Sequence, residues 1–316
     1  MMSLLSVLVL VGPTASGKTD LALSLAPRLN AEIVSVDSVQ VYRHFDVGSG
    51  KPTSEELARV PHHLISSQDP TDPLEASQFQ AQADRVISDI AARGKRVILC
   101  GGTFLWHRAL LYGLADAPEA QPELRRAHAE LVMREGRRAL HERLRAVDPE
   151  SAARLHPNDF VRVSRALEVF EASGQKMSAL QEAHGFRSER YRPLFVGIDW
   201  PREDYDARLL RRTRGLFERG FVEEVRSLLE RGYGETRAMS SVGYLQVRDA
   251  VRSGNFDLEE LITLVYQKTR VFARRQRTWL RDREIHWLPP SVLDPRDDSA
   301  SAELTRLLES WETHAG

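Results

Sequence analysis

Between Leu8 and Leu21 the chain reads LVLVGPTASGKTDL, with Gly12 followed after four residues by Gly17-Lys18-Thr19. This is the spacing of a phosphate-cradling loop, G-x-x-x-x-G-K-[ST]. The stretch Gly12-Pro13-Thr14-Ala15-Ser16-Gly17 is the cradle: glycines let the backbone curl, N–H groups point into one hollow, and the following helix N-terminus adds partial positive charge. Such a hollow takes an anion. Lys18 is placed to reach the terminal phosphates and Thr19 to ligate Mg²⁺ beside them. The motif leaves open which phosphate compound is held, and whether the phosphate is transferred, hydrolysed or discarded.

Asp37 follows a second apolar run, and Thr103 follows Gly101-Gly102 at the end of a third. A lone aspartate after a strand ordinarily serves turn chemistry. Beside a phosphate hollow the same carboxylate can hold Mg²⁺ or accept a proton from a nucleophile. Thr103 can orient a substrate, while Gly101-Gly102 equally permits a tight turn. Arg208 and Arg212 are four residues apart and neighbour each other on one helix face. A departing diphosphate needs positive charge beyond one lysine, and the arginine fork supplies it.

The segment from Leu258 to Asp282 reads as a long helix. Leu258, Leu261, Ile262, Val265, Phe272, Trp279 and Leu280 share one face, while Arg270, Arg274, Arg277 and Arg281 fall on roughly the opposite one. Six arginines between Arg270 and Arg283 face a single acid, Asp282. An ordinary solvated face intersperses acids, so the stripe reads as a contact to a phosphate backbone. Arg162 and Arg165 form a second, weaker candidate. His62-His63, without partner carboxylates or cysteines, makes a poor metal pair.

The elements that must position these residues follow from the apolar pattern. Ser6 to Val11, Glu32 to Val36 and Arg96 to Cys100 read as buried strands, separated by helices Lys18 to Leu29 and Glu75 to Arg93. This predicts an α/β fold, a parallel sheet of the phosphate-loop type flanked by helices. Ligands of such sheets sit beyond the carboxyl ends of the strands, so Gly12 to Thr19, Asp37 to Gln40 and Gly101 to Thr103 should converge on one edge. The sequence reads as a core over 1–114, a helical insertion domain over 115–192, a core continuation over 193–290 and a tail over 291–316. The clearest insertion helix spans Asn158 to Gly174, with a cap at Asn158 or Asp159 and a glycine stop. Strands return at Pro193 to Trp200 and Glu284 to Leu288, with a helix from Arg202 to Arg219. The tail is acidic, then weakly helical, and receives no function.

Composition sets the outer bounds. A chain of 316 residues can bury a sizeable core, and its formal net charge of −1 gives no global pull toward nucleic acid, so RNA or DNA binding must come from a local patch. The basic residues are nearly all arginine. The apolar start, Leu4 to Val11, is too short to span a bilayer and runs into the loop, so no membrane association is expected. The one cysteine, Cys100, excludes an internal disulfide and a four-cysteine zinc site. A cytoplasmic protein is expected.

Taken in order, the motifs resemble the bacterial tRNA dimethylallyltransferases, or tRNA isopentenyltransferases. They are GPTASGKTDLAL at Gly12 to Leu23, DSVQVYRHFDVGSGKPT at Asp37 to Thr53, PHHL at Pro61 to Leu64, and GGT with the following LWHRALLYGL. HPNDFVRVSRALEVF at His156 to Phe170, GFVEEV at Gly220 to Val225, VGYLQ at Val242 to Gln246 and ARRQRTWLR at Ala273 to Arg281 complete the series. The resemblance implies transfer of a dimethylallyl group from dimethylallyl diphosphate to N6 of the adenosine just 3′ of the anticodon. It implies Asp37 as the base, Thr103 as the group holding the extruded adenosine, and Lys18, Mg²⁺ on Thr19 and Arg212, with Arg208 as understudy, as stabilisers of the diphosphate.

By family pattern, contacts to the anticodon stem-loop fall at Asp37, Ser38, Val39, Gln40, Thr103 and Arg125. They continue at Val161, Arg162, Val163, Ser164 and Arg165, and at Ser240, Ser241, Val242, Gly243, Tyr244 and Leu245. The last group is Arg274, Arg275, Gln276, Arg277, Thr278, Trp279, Leu280 and Arg281. Val161 stands where glutamine is usual, and Leu245 interrupts the usual G-Y-R-Q. The single cysteine fits the bacterial type, which lacks the zinc finger of eukaryotic relatives. A monomer is expected. The competing readings are a nucleoside or nucleotide kinase using the loop for ATP, and a tRNA-binding protein with a vestigial site.

Overall fold

A computed structural model describes residues 4–281, 283–294 and 296–313. Asp282, the one acid set against the arginines, lies outside the described residues. The chain divides into two compact units, one of Met1–Leu111 with Arg190–Gly316 and one of Tyr112–Glu189.

The first unit is built on six strands among the described residues, β1 (Ser6–Val11), β2 (Ala31–Ser35), β3 (His62–His63), β4 (Arg96–Cys100), β5 (Arg192–Ile198) and β6 (His286–Leu288). All pair parallel, in the order β3-β2-β4-β1-β5-β6. The fold class expected from the pattern is the one observed. Val7 to Val11 of the central β1 are all buried, because helices cover both faces of a parallel sheet and every position of a middle strand needs an apolar side chain.

The register brings the three polar clusters to one edge. Leu10 of β1 lies opposite Cys100 of β4, and Ser35 of β2 lies opposite the same Cys100. The strands therefore end together, with Gly12, Val36 and Gly101 next in line. Backbone bonds continue the stitching past the strand ends: Val36 N–H donates to Cys100 O at 2.9 Å and Thr103 N–H to Val36 O at 3.1 Å. The edge strand β3 was not foreseen. His62 and His63 pair with Ile33 and Val34, and two polar residues carry no alternation for a pattern reading to find. Its anchor is electrostatic, since His63 Nε2 lies 2.7 Å from Glu32, which Lys95 and Arg93 also contact.

Helix Lys18–Arg28 starts directly after Gly17, which takes the left-handed conformation at φ 94. Helix Ala76–Ala92 is closed by a reciprocal cap between Glu75 and Gln78, and Arg202–Glu218 follows β5. The long helix runs Leu258–Leu280 from an Asp257 cap. Its buried line is Leu261, Ile262, Val265, Ala273, Gln276 and Leu280, which corrects the expected face. Leu258, Phe272 and Trp279 are exposed. Residues at strict seven-residue spacing lag a straight helix by about 20° per heptad, so Phe272 and Trp279 drift to the rim. The tail does more than expected, because helix Asp298–Thr313 lays Leu304, Leu308 and Trp311 onto the core beside Leu21 and Leu25.

The second unit is all helical, from Pro122–Glu135 to Met177–His184. Leu131, Leu140, Leu144, Val163, Ala166 and Leu167 form its core. Helix Phe160–Ser173 is capped by the Asp159 carboxylate and stops at Gly174 with φ 70.

Candidate active site

The phosphate loop is held by donors that take its carbonyls one by one. Lys18 Nζ donates to Pro13 O at 2.8 Å, Tyr205 Oη to Thr14 O at 2.8 Å, Arg208 Nε to Ala15 O at 2.8 Å and Trp200 Nε1 to Ser16 O at 2.9 Å. Three of the four lie between Trp200 and Arg208, in the segment that follows β5. The N–H groups of Ala15, Gly17, Lys18 and Thr19 find no acceptor among the described residues, as expected at a helix start. Ser16 Oγ is buried and also unpartnered. Unpaired amides, an orphaned hydroxyl and two cations are the donor set that a diphosphate satisfies.

One cavity of about 820 Å³ brings together Lys18, Thr19, Asp37, Thr103, Arg208 and Arg212. Burial lowers the Lys18 ammonium to about 8, so a bound anion gains a strong partner there. Burial also lowers Arg212 from its ordinary value. Its Nη1 donates to Thr14 Oγ1 at 2.8 Å. Gly50 takes the left-handed conformation at φ 63 beside the guanidinium, and a Cβ there would fall 2.2 Å from Arg212 Nη2 and push it aside. Arg208 is a loop brace, because its second contact is to Asp20 Oδ2 at 2.8 Å and its guanidinium lies over the Trp200 ring. Cys100, on the cavity floor, is pushed by burial up to about 11 and stays a protonated thiol.

Asp37 divides its two carboxylate oxygens. Oδ1 accepts from Val39 N–H at 2.9 Å and Gln40 N–H at 3.2 Å, a turn of the Asx kind. Oδ2 takes no hydrogen bond among the described residues, which leaves one oxygen for a proton or a cation. Thr103 Oγ1 accepts Ser38 N–H at 2.9 Å and donates to Ser38 Oγ at 3.1 Å. It thus fixes the Asp37 turn against the end of β4. Thr19 and Asp37 supply hydroxyl and carboxylate oxygen to the same cavity, the chemistry that Mg²⁺ accepts together with phosphate oxygens and water.

The residues expected at an RNA surface separate into several environments. Gln40 turns inward, donating to Ser49 O and Gly50 O. Ser240, Ser241, Val242, Gly243 and Tyr244 line the cavity, with Ser240 and Val242 exposed and Tyr244 buried; Leu245 is half-buried. On the long helix Arg274, Arg275, Thr278 and Arg281 are exposed, and Trp279 stacks on Phe104. The expected stripe of four is divided, however. Arg277 lies over the Tyr205 ring at 4.5 Å and Arg270 pairs with Asp206 at 3.3 Å, both on the helix that braces the loop. Gln276 and Leu280 are buried, and Gln276 accepts Thr14 N–H and donates to Gly102 O.

In the helical unit Val161 is exposed and Arg162 pairs with Asp159. Val163 and Ser164 are buried, Val163 in the core and Ser164 on His128 Nδ1 at 2.9 Å; they offer no side chain to a partner. Arg125 and Arg165 both reach the buried Glu168, a duty that their sequence range could not disclose.

Sequence reasoning passed over Trp200, Tyr205 and Gln276 as loop partners. A tryptophan just after a strand end, at the edge where ligands collect, was the available signal for the first.

A family model described as IPP transferase matches residues 40–283. The tRNA dimethylallyltransferase of Sorangium cellulosum is 53% identical over 281 residues, covering 89% of each chain. That of Myxococcus xanthus is 52% identical over 273 residues, covering 86% of this chain and 88% of its own. The crystal structure of a full-length tRNA isopentenylpyrophosphate transferase from Bacillus halodurans superposes with a TM-score of 0.71 at 32% identity, covering 98% of this chain and 97% of that one. A eukaryotic dimethylallyltransferase acting on tRNA gives a TM-score of 0.84 at 25% identity, covering 98% and 80%. With the family model spanning most of its length and relatives at about half identity, the chain belongs to the IPP transferase family.

Proposed function

We infer that the protein transfers the dimethylallyl group of dimethylallyl diphosphate to N6 of the adenosine 3′-adjacent to the anticodon in tRNA and releases diphosphate. The observation that carries this is the opposition, within one cavity, of a cationic amide-lined loop and an aspartate with one free oxygen. Adenine N6 is a weak nucleophile because its lone pair is delocalised into the ring. Asp37 Oδ2 orients the amine and receives its proton as N6 bonds to the allylic carbon. The bond from that carbon to the diphosphate oxygen breaks, its electron pair leaves on the diphosphate, and the loop amides, Lys18 and Arg212 stabilise the charge. Mg²⁺ held by Thr19 and the diphosphate would neutralise part of it.

An adenosine stacked in an anticodon loop is out of reach, so it is flipped into the cavity. The exposed Arg274, Arg275 and Arg281 hold the RNA backbone. Among the described residues no helix is long and apolar enough to cross a membrane, and a tRNA substrate places the reaction in the cytoplasm.

The test is nucleoside analysis of unmodified tRNA after incubation with dimethylallyl diphosphate, ATP and Mg²⁺. The expected product is N6-dimethylallyladenosine, mapped by nuclease fragments to the position after the anticodon. Unchanged tRNA together with phosphoryl transfer from ATP would establish the kinase reading instead.

A further inference from the structure

The segment Asp46-Val47-Gly48-Ser49-Gly50-Lys51 contains a second glycine-rich run ending in lysine. Its lysine is already committed: Lys51 Nζ donates to Tyr42 O at 2.6 Å, Asp46 Oδ1 at 2.7 Å and Ser66 Oγ at 2.8 Å. Its amides, however, form a nest. Asp46 N–H and Val47 N–H donate to Glu224 Oε2 at 2.7 and 2.6 Å, and Gly48 N–H donates to Glu224 Oε1 at 2.9 Å. Successive N–H groups of this kind ordinarily cradle an anion from outside; here the anion is the protein's own.

Tyr244 completes the arrangement. Its hydroxyl donates to Glu224 Oε1 at 2.7 Å and accepts Ser49 N–H at 3.1 Å. Burial and the facing carboxylate hold its phenol well above the ordinary value, so it remains a donor. The ring is fully buried, edge-on to Phe221 and tilted against Phe45. A Cβ on Gly48 would fall 2.0 Å from Phe221 Cε2, so the loop backbone is pressed onto these rings.

The other side of the clamped loop faces the chemistry. Ser49 O and Gly50 O accept Gln40 Nε2 at 3.3 and 3.2 Å, and Gln40 N–H caps the Asp37 carboxylate. Gly50 is also the residue against which the Arg212 guanidinium rests.

We propose that Glu224, with Tyr244, is a positioning residue for this reaction: its carboxylate fills the Asp46–Gly48 nest, the Tyr244 hydroxyl takes Ser49 N–H, and together they fix the loop that seats Gln40 beside Asp37 and Gly50 against Arg212. The proposal rests on the transferase reading given above. Glu224 does not line the cavity, and the Tyr244 hydroxyl is taken up by Glu224 and Ser49, so the effect falls on the chemical step and not on binding. Three backbone donors and a phenol that converge on one carboxylate also explain the half-buried glutamate in the first turn of helix Phe221–Glu230.

The experiment compares wild type, Glu224→Gln, Tyr244→Phe and the double variant as full-length proteins at saturating dimethylallyl diphosphate and tRNA. Glu224→Gln places an amide donor against N–H and O–H donors, and kcat is expected to fall about 10- to 100-fold, with both KM values within about threefold. Tyr244→Phe keeps the ring and its packing and is expected to lose about fivefold. Because both act through one nest, the double variant should be within about twofold of Glu224→Gln. Wild-type kcat in either single variant, a loss confined to KM, or multiplying losses in the double variant would overturn the proposal. If Glu224→Gln does not fold, Tyr244→Phe alone decides. Absence of prenyl transfer by the wild type would instead reject the transferase reading itself.

Discussion

Gln276 on the long helix accepts the backbone N–H of Thr14 at 2.8 Å, while its own amide donates to Gly102 O at 2.9 Å. It is the one polar residue on that helix's buried line, and exposed Arg274 and Arg275 precede it. A helix that exposes arginines on one side thus touches the Gly12–Thr19 loop on the other. Gln276→Leu leaves a buried donor and acceptor unpaired. It is expected to cost about 1–3 kcal/mol of stability by denaturant titration and to weaken binding of diphosphate by calorimetry.

Arg212 and Arg208 differ in what they are free to do. Arg208 is occupied by Ala15 O and Asp20, whereas Arg212 bonds Thr14 Oγ1 alone among the described residues and rests on Gly50. Single-turnover transfer should slow about 10²–10³-fold in Arg212→Ala. Arg208→Lys should slow it by less than about tenfold, through a looser loop.

The lowered Lys18 gives the donor site a pH dependence whose sign is fixed. Free enzyme loses the ammonium proton as pH rises through about 8, while bound diphosphate favours the charged form. Affinity for diphosphate should therefore be level below about 8 and fall above it, approaching about tenfold per pH unit. Lys18→Arg, whose guanidinium does not titrate in this range, should remove the bend in an affinity profile from pH 6 to 10.

Of the arginines on the long helix, Arg274 and Arg275 are exposed, while Arg277 is committed to Tyr205. Replacing Arg274 and Arg275 by glutamine should reduce the slope of log affinity for tRNA against log salt by about 1.4–1.8. Arg277→Gln should leave that slope within about 0.5 of wild type and alter donor binding through Tyr205 and Thr14 O.

The sheet and loop were legible because burial on both faces writes a continuous apolar run, as at Val7 to Val11, and because chemistry gathers where such runs end. Lys18, Asp37 and Thr103 could be placed on one edge from that rule alone. His62-His63 escaped it, since a two-residue edge strand held by Glu32 has no apolar signature. Contiguous ranges also hid side-chain direction. Val163 and Ser164 face a core, while Val161 on the same helix is exposed, and Arg270 and Arg277 turn to partners more than sixty residues away in sequence. Polar residues that act through distant backbone, such as Gln276 and Glu224, carry no local periodicity at all.

In the proposed reaction the loop cradles a leaving group while Asp37 takes the proton. Its most direct test supplies wild type and Asp37→Asn with prenyl-labelled dimethylallyl diphosphate, γ-labelled ATP, Mg²⁺ and unmodified tRNA. Wild type should place prenyl label in tRNA with one diphosphate released per transfer and no phosphate label in any product. Asp37→Asn keeps the turn acceptor, so it should bind both substrates while transferring about 10²–10⁴-fold more slowly. Phosphate label in a product without prenyl transfer, or an undiminished rate in Asp37→Asn, would contradict it.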